Sequence, residues 1–467
     1  MITHYNPDLL FQSGAFLSGH ALRTNSSGRI EAIEASPPSQ PHTVNLPGKA
    51  ILPGFVNVHS HSFQRLIRGQ SESRVTSGKD FWSWRGTMYH AAASLTPDDV
   101  YDAARMAFLE MLQSGTTTVG EFHYLHNAPD GKPYADPNLL SKQVIAAARS
   151  VGIRIVLLRT AYLRSGYQLP PDPGQTRFFE TAAEFCRNAD DLIQAFRHDP
   201  EGVSFGIAPH SIRAVPLDAL HRIAHWARER SLPLHMHVAE QVAENQACLR
   251  EYGQTPISVL HREKLLGPDF TAVHAIHISP PEIAMLAEAH STICSCPTTE
   301  RNLGDGILAA DSAMRAGIPI ALGSDSQAQI DPLEDARQLD YHLRLTHQQR
   351  AILDQIDHQS LSARLFDCAT INGARALRCN TGKLEPHACA DFITIDRNHP
   401  SIAGNSAQDL LPMLTFGLHR SAVRDVFVAG KQVLHDGHHP LEEEIISRYR
   451  SLHRKLWSSR RAHETAQ

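Results

Sequence analysis

The chain has 467 residues, about three times the ~150 of a typical domain, so it is no small disulfide-stapled module. Lys plus Arg number 44 against 49 Asp plus Glu, a net charge of −5, which denies it the basic surplus that nucleic acid or an anionic membrane surface requires. Hydrophobic residues at 42% and charged residues at 20% provide a sizeable core and argue against wholesale disorder.

Met1 to Gly14 lacks a basic segment followed by an apolar one, and no stretch approaches the ~20 apolar residues that span a bilayer, so a soluble, cytoplasmic protein is expected. Seven scattered cysteines, an odd count, predict free thiols in a reducing compartment. Residues 1–49 read as short strands and turns. From residue 50 the cadence changes. Apolar, β-branched runs fall at 50–58, 116–120, 153–158, 203–208, 232–238, 271–276, 291–296 and 318–322, separated by helical spacing at 98–114, 138–150, 181–198, 216–230, 240–252, 281–289 and 308–316. Eight strands alternating with helices predict an α/β fold, a (β/α)8 TIM-like barrel over 50–380. Residues 381–435 return to strand-like pieces. Neither flank alone could bury much of a core, so both chain ends are expected to pair into one small β-sandwich domain, 1–49 plus 381–435, with a helical tail over 436–467.

Active sites of such barrels lie where strands end, and here those ends are strongly polar. In strand order they carry His59 and His61, Glu121 to Tyr124, Arg159, His210 with Arg213, His237 with Glu240, His274 with His277, Thr298 with Glu300, and Asp325. Side chains two apart on a strand share a face, so His59 and His61 can address one point. A lone histidine at a strand end is commonly a core residue. Three of them on two strands, with an aspartate on a third, are hard to explain by packing, and make a nitrogen and oxygen set suited to zinc, iron or manganese with one position for water. His235 shares a face with His237, and spacing does not choose between them. Cys294 and Cys296 on the seventh run read as packing.

The phrase Leu52-Pro53-Gly54-Phe55-Val56-Asn57-Val58-His59-Ser60-His61, the later His-x-x-Glu and the terminal Ser-Asp resemble the amidohydrolase superfamily, in its single-metal deaminase branch, over most of the chain. Longer phrases resemble the deiminases of N-formimidoyl-L-glutamate in histidine degradation: His59 to Arg65, Phe81 to Arg85, Glu121 to His126, and Asn302 to Gly306. The resemblance implies hydrolysis of that linear amidine to N-formyl-L-glutamate and ammonia, at one divalent metal, zinc with iron as the alternative, and it implies a homodimer. It selects His237 over His235, giving His59, His61, His237 and Asp325 as metal ligands. It implies Asp325 and Glu240 as proton carriers and His274 as the stabiliser of the intermediate. It leads one to expect histidine at the position of Gln327.

A substrate with two carboxylates calls for cations, and planar guanidiniums grip carboxylates by paired hydrogen bonds. Arg85, expected in a loop after the first strand, and Arg213, past the fourth, are the candidate clamps, with Gln64, Tyr124 and His210 completing the pocket. Phe81, Trp82 and Trp84 would stack on a flat ring or anchor a loop. The competing readings are a deaminase of the same superfamily acting on a nucleobase or triazine, and a barrel kept as a non-catalytic scaffold.

Overall fold

The computed structural model describes residues 2–36, 42–72, 80–198, 202–354 and 356–464. The chain opens with β1 (Thr3–Gln12), β2 (Ala15–Ser18), β3 (His20–Thr24), β4 (Ile30–Ala35) and β5 (Thr43–Pro53). The parallel strands follow as β6 (Phe55–Ser60), β7 (Thr116–His123), β8 (Arg154–Ala161), β9 (Val203–Pro209), β10 (Leu234–Val238), β11 (Phe270–His274), β12 (Thr292–Ser295) and β13 (Ile320–Leu322), and β14 (Phe392–Asp396), β15 (Val423–Val428) and β16 (Lys431–Leu434) close the count.

Strands β6 to β13 pair in sequence order, all parallel. Both faces of each are covered, so β7 and β8 are buried at every position, as a parallel sheet between a filled interior and a coat of helices requires. The cylinder closes where β6 ends. Ser60 bridges Asp325, His61 N donates to Asp325 O at 3.0 Å, and Asp325 N donates to His59 O at 2.9 Å. The expected (β/α)8 barrel is therefore present, and its seam passes through the candidate ligands.

The two chain ends form the expected small β domain as one mixed sheet, in the order β16-β15-β14-β5-β1-β3-β4, with β2 paired to β1. Its inner residues, among them Tyr5, Leu22, Ile51, Phe392 and Phe427, make a core of their own. A bridge from Arg29 to Cys389 ties the region before β4 to that before β14.

The run 50–58, expected as one strand, is two. It divides at Gly54 into the end of β5, in the mixed sheet, and β6, in the barrel. A Cβ on Gly54 would lie 2.2 Å from the Thr117 side chain, so only glycine lets the chain pass β7 as it changes sheet. Seven α-helices have no counterpart in the sequence reading: Asp80–Ser94, Pro256–Arg262, Pro297–Leu303, Pro332–His347, Leu361–Cys368, Ile371–Ala376 and, in a stretch expected to be strand-like, Leu410–Gly417. The tail is helical over Glu442–Glu464 and packs on the helix Pro97–Gln113. Trp457 Nε1 donates to Leu66 O at 3.0 Å, and Tyr449 Oη donates to Arg65 O at 2.9 Å, bracing the short helix that carries Gln64. None of the seven cysteines is in a disulfide. Among the described residues no helix is long and apolar enough to cross a membrane.

Candidate metal centre and substrate cavity

Three strand ends, those of β6, β10 and β13, bring His59, His61, His237 and Asp325 together. His59 Nε2 lies 3.1 Å from His237 Nε2 and 3.2 Å from Asp325 Oδ1, and His61 Nε2 also lies 3.2 Å from Asp325 Oδ1. His61 Nδ1 meets Phe122 O at 2.8 Å and His237 Nδ1 meets His210 O at 3.1 Å. Only an N–H satisfies a carbonyl, so on both rings Nδ1 carries a hydrogen and Nε2 is the atom turned into the cluster. Burial, outweighing the pull of Asp325, pushes His59 down to about 3. Burial alone would raise Asp325, but His59 and His61 hold it ionised, well below the usual carboxylate range. Three imidazole nitrogens and a carboxylate oxygen turned toward one point, 3.1–3.2 Å apart, are a donor set that fits a divalent metal.

His274, at the end of β11, has a ligand atom within 4.8 Å of those of His59, His237 and Asp325. It is flanked by carboxylates, with Nδ1 3.2 Å from Glu300 Oε1 and Nε2 4.0 Å from Glu240 Oε1. Burial would lower its pKa, yet Glu240, Glu300 and Asp325 raise it well above the ordinary value, so His274 is a cation. Glu300 is fixed by Cys296 N at 2.7 Å and Ser295 Oγ at 3.0 Å. Burial raises Glu240 above a normal carboxyl. The backbone at this rim is strained, with positive φ at Ala239 (53°), His274 (71°), Ala275 (50°), Asp325 (45°) and Gln327 (62°), a conformation residues other than glycine hold only where the surroundings enforce it.

Part of that enforcement is a chain of buried polar groups. Asn57 Nδ2 donates to Ser324 Oγ (2.6 Å), Ser324 Oγ to Gln327 Oε1 (2.8 Å), Gln327 Nε2 to Ser60 Oγ (2.9 Å) and Ser60 Oγ to Glu121 Oε2 (2.5 Å). Glu121 Oε1 accepts from the backbone and hydroxyl of Ser62. Gln327, where histidine was expected, thus ties β13 to the His59-Ser60-His61 segment. Gly323 permits the approach, since a Cβ there would lie 2.7 Å from that of His59.

The ligands open into a cavity that, counted with the solvent space at its mouth, takes up about 580 Å³. Of the expected substrate residues, Gln64, Arg85, Tyr124, His210 and Arg213 all line it, as do His61, His237, Glu240, His274 and Asp325. Arg85 was expected in a loop. It lies instead on the helix Asp80–Ser94, one turn before Tyr89. Gln64 Nε2 donates to Tyr124 Oη at 2.6 Å, and Gln64 Oε1 is buried without a partner among the described residues. Trp84 faces the cavity, while the side chains of Phe81 and Trp82 lie outside the described residues.

Other strand-end residues stand apart. His235 Nε2 meets Ala376 O at 2.9 Å, away from the donor cluster, so the two histidines that the spacing left equivalent are separated by what they touch. Arg159 pairs with Glu180, and His277 with Asp305 O. The sequence reading missed Tyr89, Tyr162, Met88 and Phe178 in the lining. Tyr89 follows Arg85 by four residues, a helical neighbour, but the helix itself carried no readable stripe; the other three gave no signal.

Known proteins resemble this chain over most of its length. The sequence profile of the amidohydrolase family matches residues 50–433. A formimidoylglutamate deiminase of Pseudomonas aeruginosa is 36% identical over 399 residues, covering 85% of this chain and 87% of that protein. An 8-oxoguanine deaminase of the same organism is 29% identical, over 83% and 84%. A crystal structure of an amidohydrolase from Brucella melitensis superposes with TM-score 0.89 at 31% identity, covering 97% of this chain and 99% of that one.

Proposed function

The chain belongs to the amidohydrolase family, metal-dependent hydrolases and deaminases of C–N bonds, and we propose that it hydrolyses N-formimidoyl-L-glutamate to N-formyl-L-glutamate and ammonia, a step of histidine breakdown. The observation that carries this reading is one cavity lined both by the donor set and by two guanidiniums, Arg85 and Arg213. We assign His59, His61, His237 and Asp325 as the ligands of one divalent ion, zinc by the hardness and number of the donors, with iron as the alternative. Such an ion is a Lewis acid that lowers the pKa of water to about 7.

An amidine carbon is a resonance-damped electrophile, and its nitrogen departs only when protonated. Asp325, held ionised, accepts the proton that water gives up. Glu240, whose burial favours the neutral carboxyl, delivers a proton to the departing nitrogen. His274, cationic between Glu240 and Glu300, stabilises negative charge as the tetrahedral carbon forms. Arg85 and Arg213 bind the two carboxylates, and Gln64, Tyr124 and His210 complete the enclosure. The resemblance also supports a cytoplasmic homodimer.

The aromatic lining of Trp84, Tyr89, Tyr124, Tyr162 and Phe178 gives a second reading its footing, a deaminase of a flat nucleobase. Ammonia release from N-formimidoyl-L-glutamate, guanine, cytosine and simple formamidines, before and after chelation, separates the two. Turnover of the amino acid derivative that ceases on chelation is expected. Turnover of a nucleobase alone, surviving loss of both Arg85 and Arg213, would replace the first reading with the second.

A further inference from the structure

Each guanidinium lining the cavity is tied to a phenol that lines it too. Arg85 Nε donates to Tyr89 Oη at 2.5 Å, and Arg213 Nη1 donates to Tyr162 Oη at 3.1 Å. Tyr89 Oη accepts a second bond, from Gln175 Nε2 at 2.7 Å. A phenol oxygen that accepts in this way keeps its own proton for donation, and neither proton has an acceptor among the described residues. Arg213 has no carboxylate partner there either; its other bond goes to Ser165 O at 2.9 Å. One segment, residues 163–179, therefore supports both pairs: Ser165 on one side and the fully buried Gln175 on the other, with Asp172 N donating to Ser165 Oγ at 2.8 Å. Phe178, in the same segment, packs against the rings of Tyr89 (6.0 Å between centroids) and Tyr162 (5.6 Å).

We propose that Tyr89 and Tyr162 each donate a hydrogen bond to one carboxylate of the substrate, beside Arg85 and Arg213 respectively, and so set the preference for a diacid, an inference that rests on the deiminase reading above. A carboxylate offers about four lone-pair sites, more than one guanidinium fills. A phenol held against the guanidinium supplies a further charge-assisted donor without adding charge. Burial raises Tyr89 to about 12, so the proton is present at neutral pH. Gln175 is the positioning residue for Tyr89.

Calorimetric binding to the metal-loaded protein tests this with three ligands. N-formyl-L-glutamate carries both carboxylates, N-formyl-L-glutamine only the one on Cα, and N-formyl-γ-aminobutyrate only the distal one. Tyr89→Phe and Tyr162→Phe should each weaken the diacid and one single-acid ligand by about ten-fold or more, leaving the other unchanged, with the two variants complementary. Gln175→Leu, which keeps the hydroxyl but loosens it, should weaken the same ligands as Tyr89→Phe, by less. Unchanged affinities, or equal losses on all three ligands, would overturn the inference; equal losses are what Tyr89 would give if it donated its proton to Gln175 Oε1. Ammonia release by the unaltered protein is measured alongside. Its absence defeats the deiminase reading, whereas its presence without a carboxylate-dependent loss defeats only the role of the tyrosines.

Discussion

Asp325 Oδ1 stands 3.2 Å from two imidazole nitrogens and is ionised because they are there. Asp325→Asn keeps the volume and removes the charge, so it should abolish stoichiometric metal retention, read by elemental analysis, and reduce turnover by about 10²- to 10⁴-fold. Gln327 acts at one remove. Gln327→Leu leaves Ser324 Oγ and Ser60 Oγ short of a partner in a buried site, and should destabilise the fold by about 1–3 kcal/mol in urea titration. It should also weaken metal retention about 10- to 100-fold in chelator competition. A variant with native metal affinity would show that Gln327 does not hold the seam. The candidate donors were legible as residue types at strand ends, although His235 and His237 were not told apart by spacing. The Gln327 bracket was not, because it depends on which residues β13 faces across the closure, and one sequence does not encode that pairing in any period.

Among the elements, the strands were easiest to read, because a parallel barrel buries both strand faces and leaves continuous apolar runs. The helix Asp80–Ser94 was not, since its sequence, with Gly86 amid aromatics, has no stripe to mark a buried face. That helix nevertheless places Arg85, Met88 and Tyr89 at the cavity. Arg85→Ala and Arg213→Ala should each raise KM while leaving kcat within a few-fold, as loss of a contact present equally in ground and transition states requires. An equal fall in kcat with KM unchanged would contradict a clamp. The tail helix Glu442–Glu464 contributes from outside the barrel. Trp457→Ala removes a large buried ring and the bond to Leu66 O, and should cost about 3–5 kcal/mol of stability in urea, together with a rise in KM because Gln64 lies in the short helix so braced.

For the whole molecule, burial of neutral imidazole makes stability depend on pH. His126 and His235 are both pushed down to about 4, by burial first. In the unfolded chain they titrate near 6.5, so between pH 6.5 and 4 the unfolded state binds protons that the folded state does not. Stability is therefore complete above pH 6.5 and falls toward pH 4, by about 1.4 kcal/mol per pH unit for each histidine. Glu180, lowered to about 2 against the opposing effect of burial, works the same way from its unfolded value near 4.5 down to 2. Urea unfolding of the chelated protein should thus give a lower midpoint at pH 5 than at pH 7, and His235→Gln should flatten the slope. Equal midpoints would mean that these rings are protonated in the fold.

The barrel and the chain-end sheet were legible because each follows from the order of strands along the chain, whereas the choice of His237 over His235 came from the family resemblance. The tyrosine supports of the clamps were not, because they arise where the segment 163–179 folds back over a helix that lies far from it in sequence. The most direct test is titration of the chelated protein with zinc while ammonia release from N-formimidoyl-L-glutamate is followed. Activity should rise linearly and break at one equivalent per chain, with no rise in Asp325→Asn. Undiminished turnover by the metal-free protein, or a break at two equivalents, would contradict a single ion held by His59, His61, His237 and Asp325.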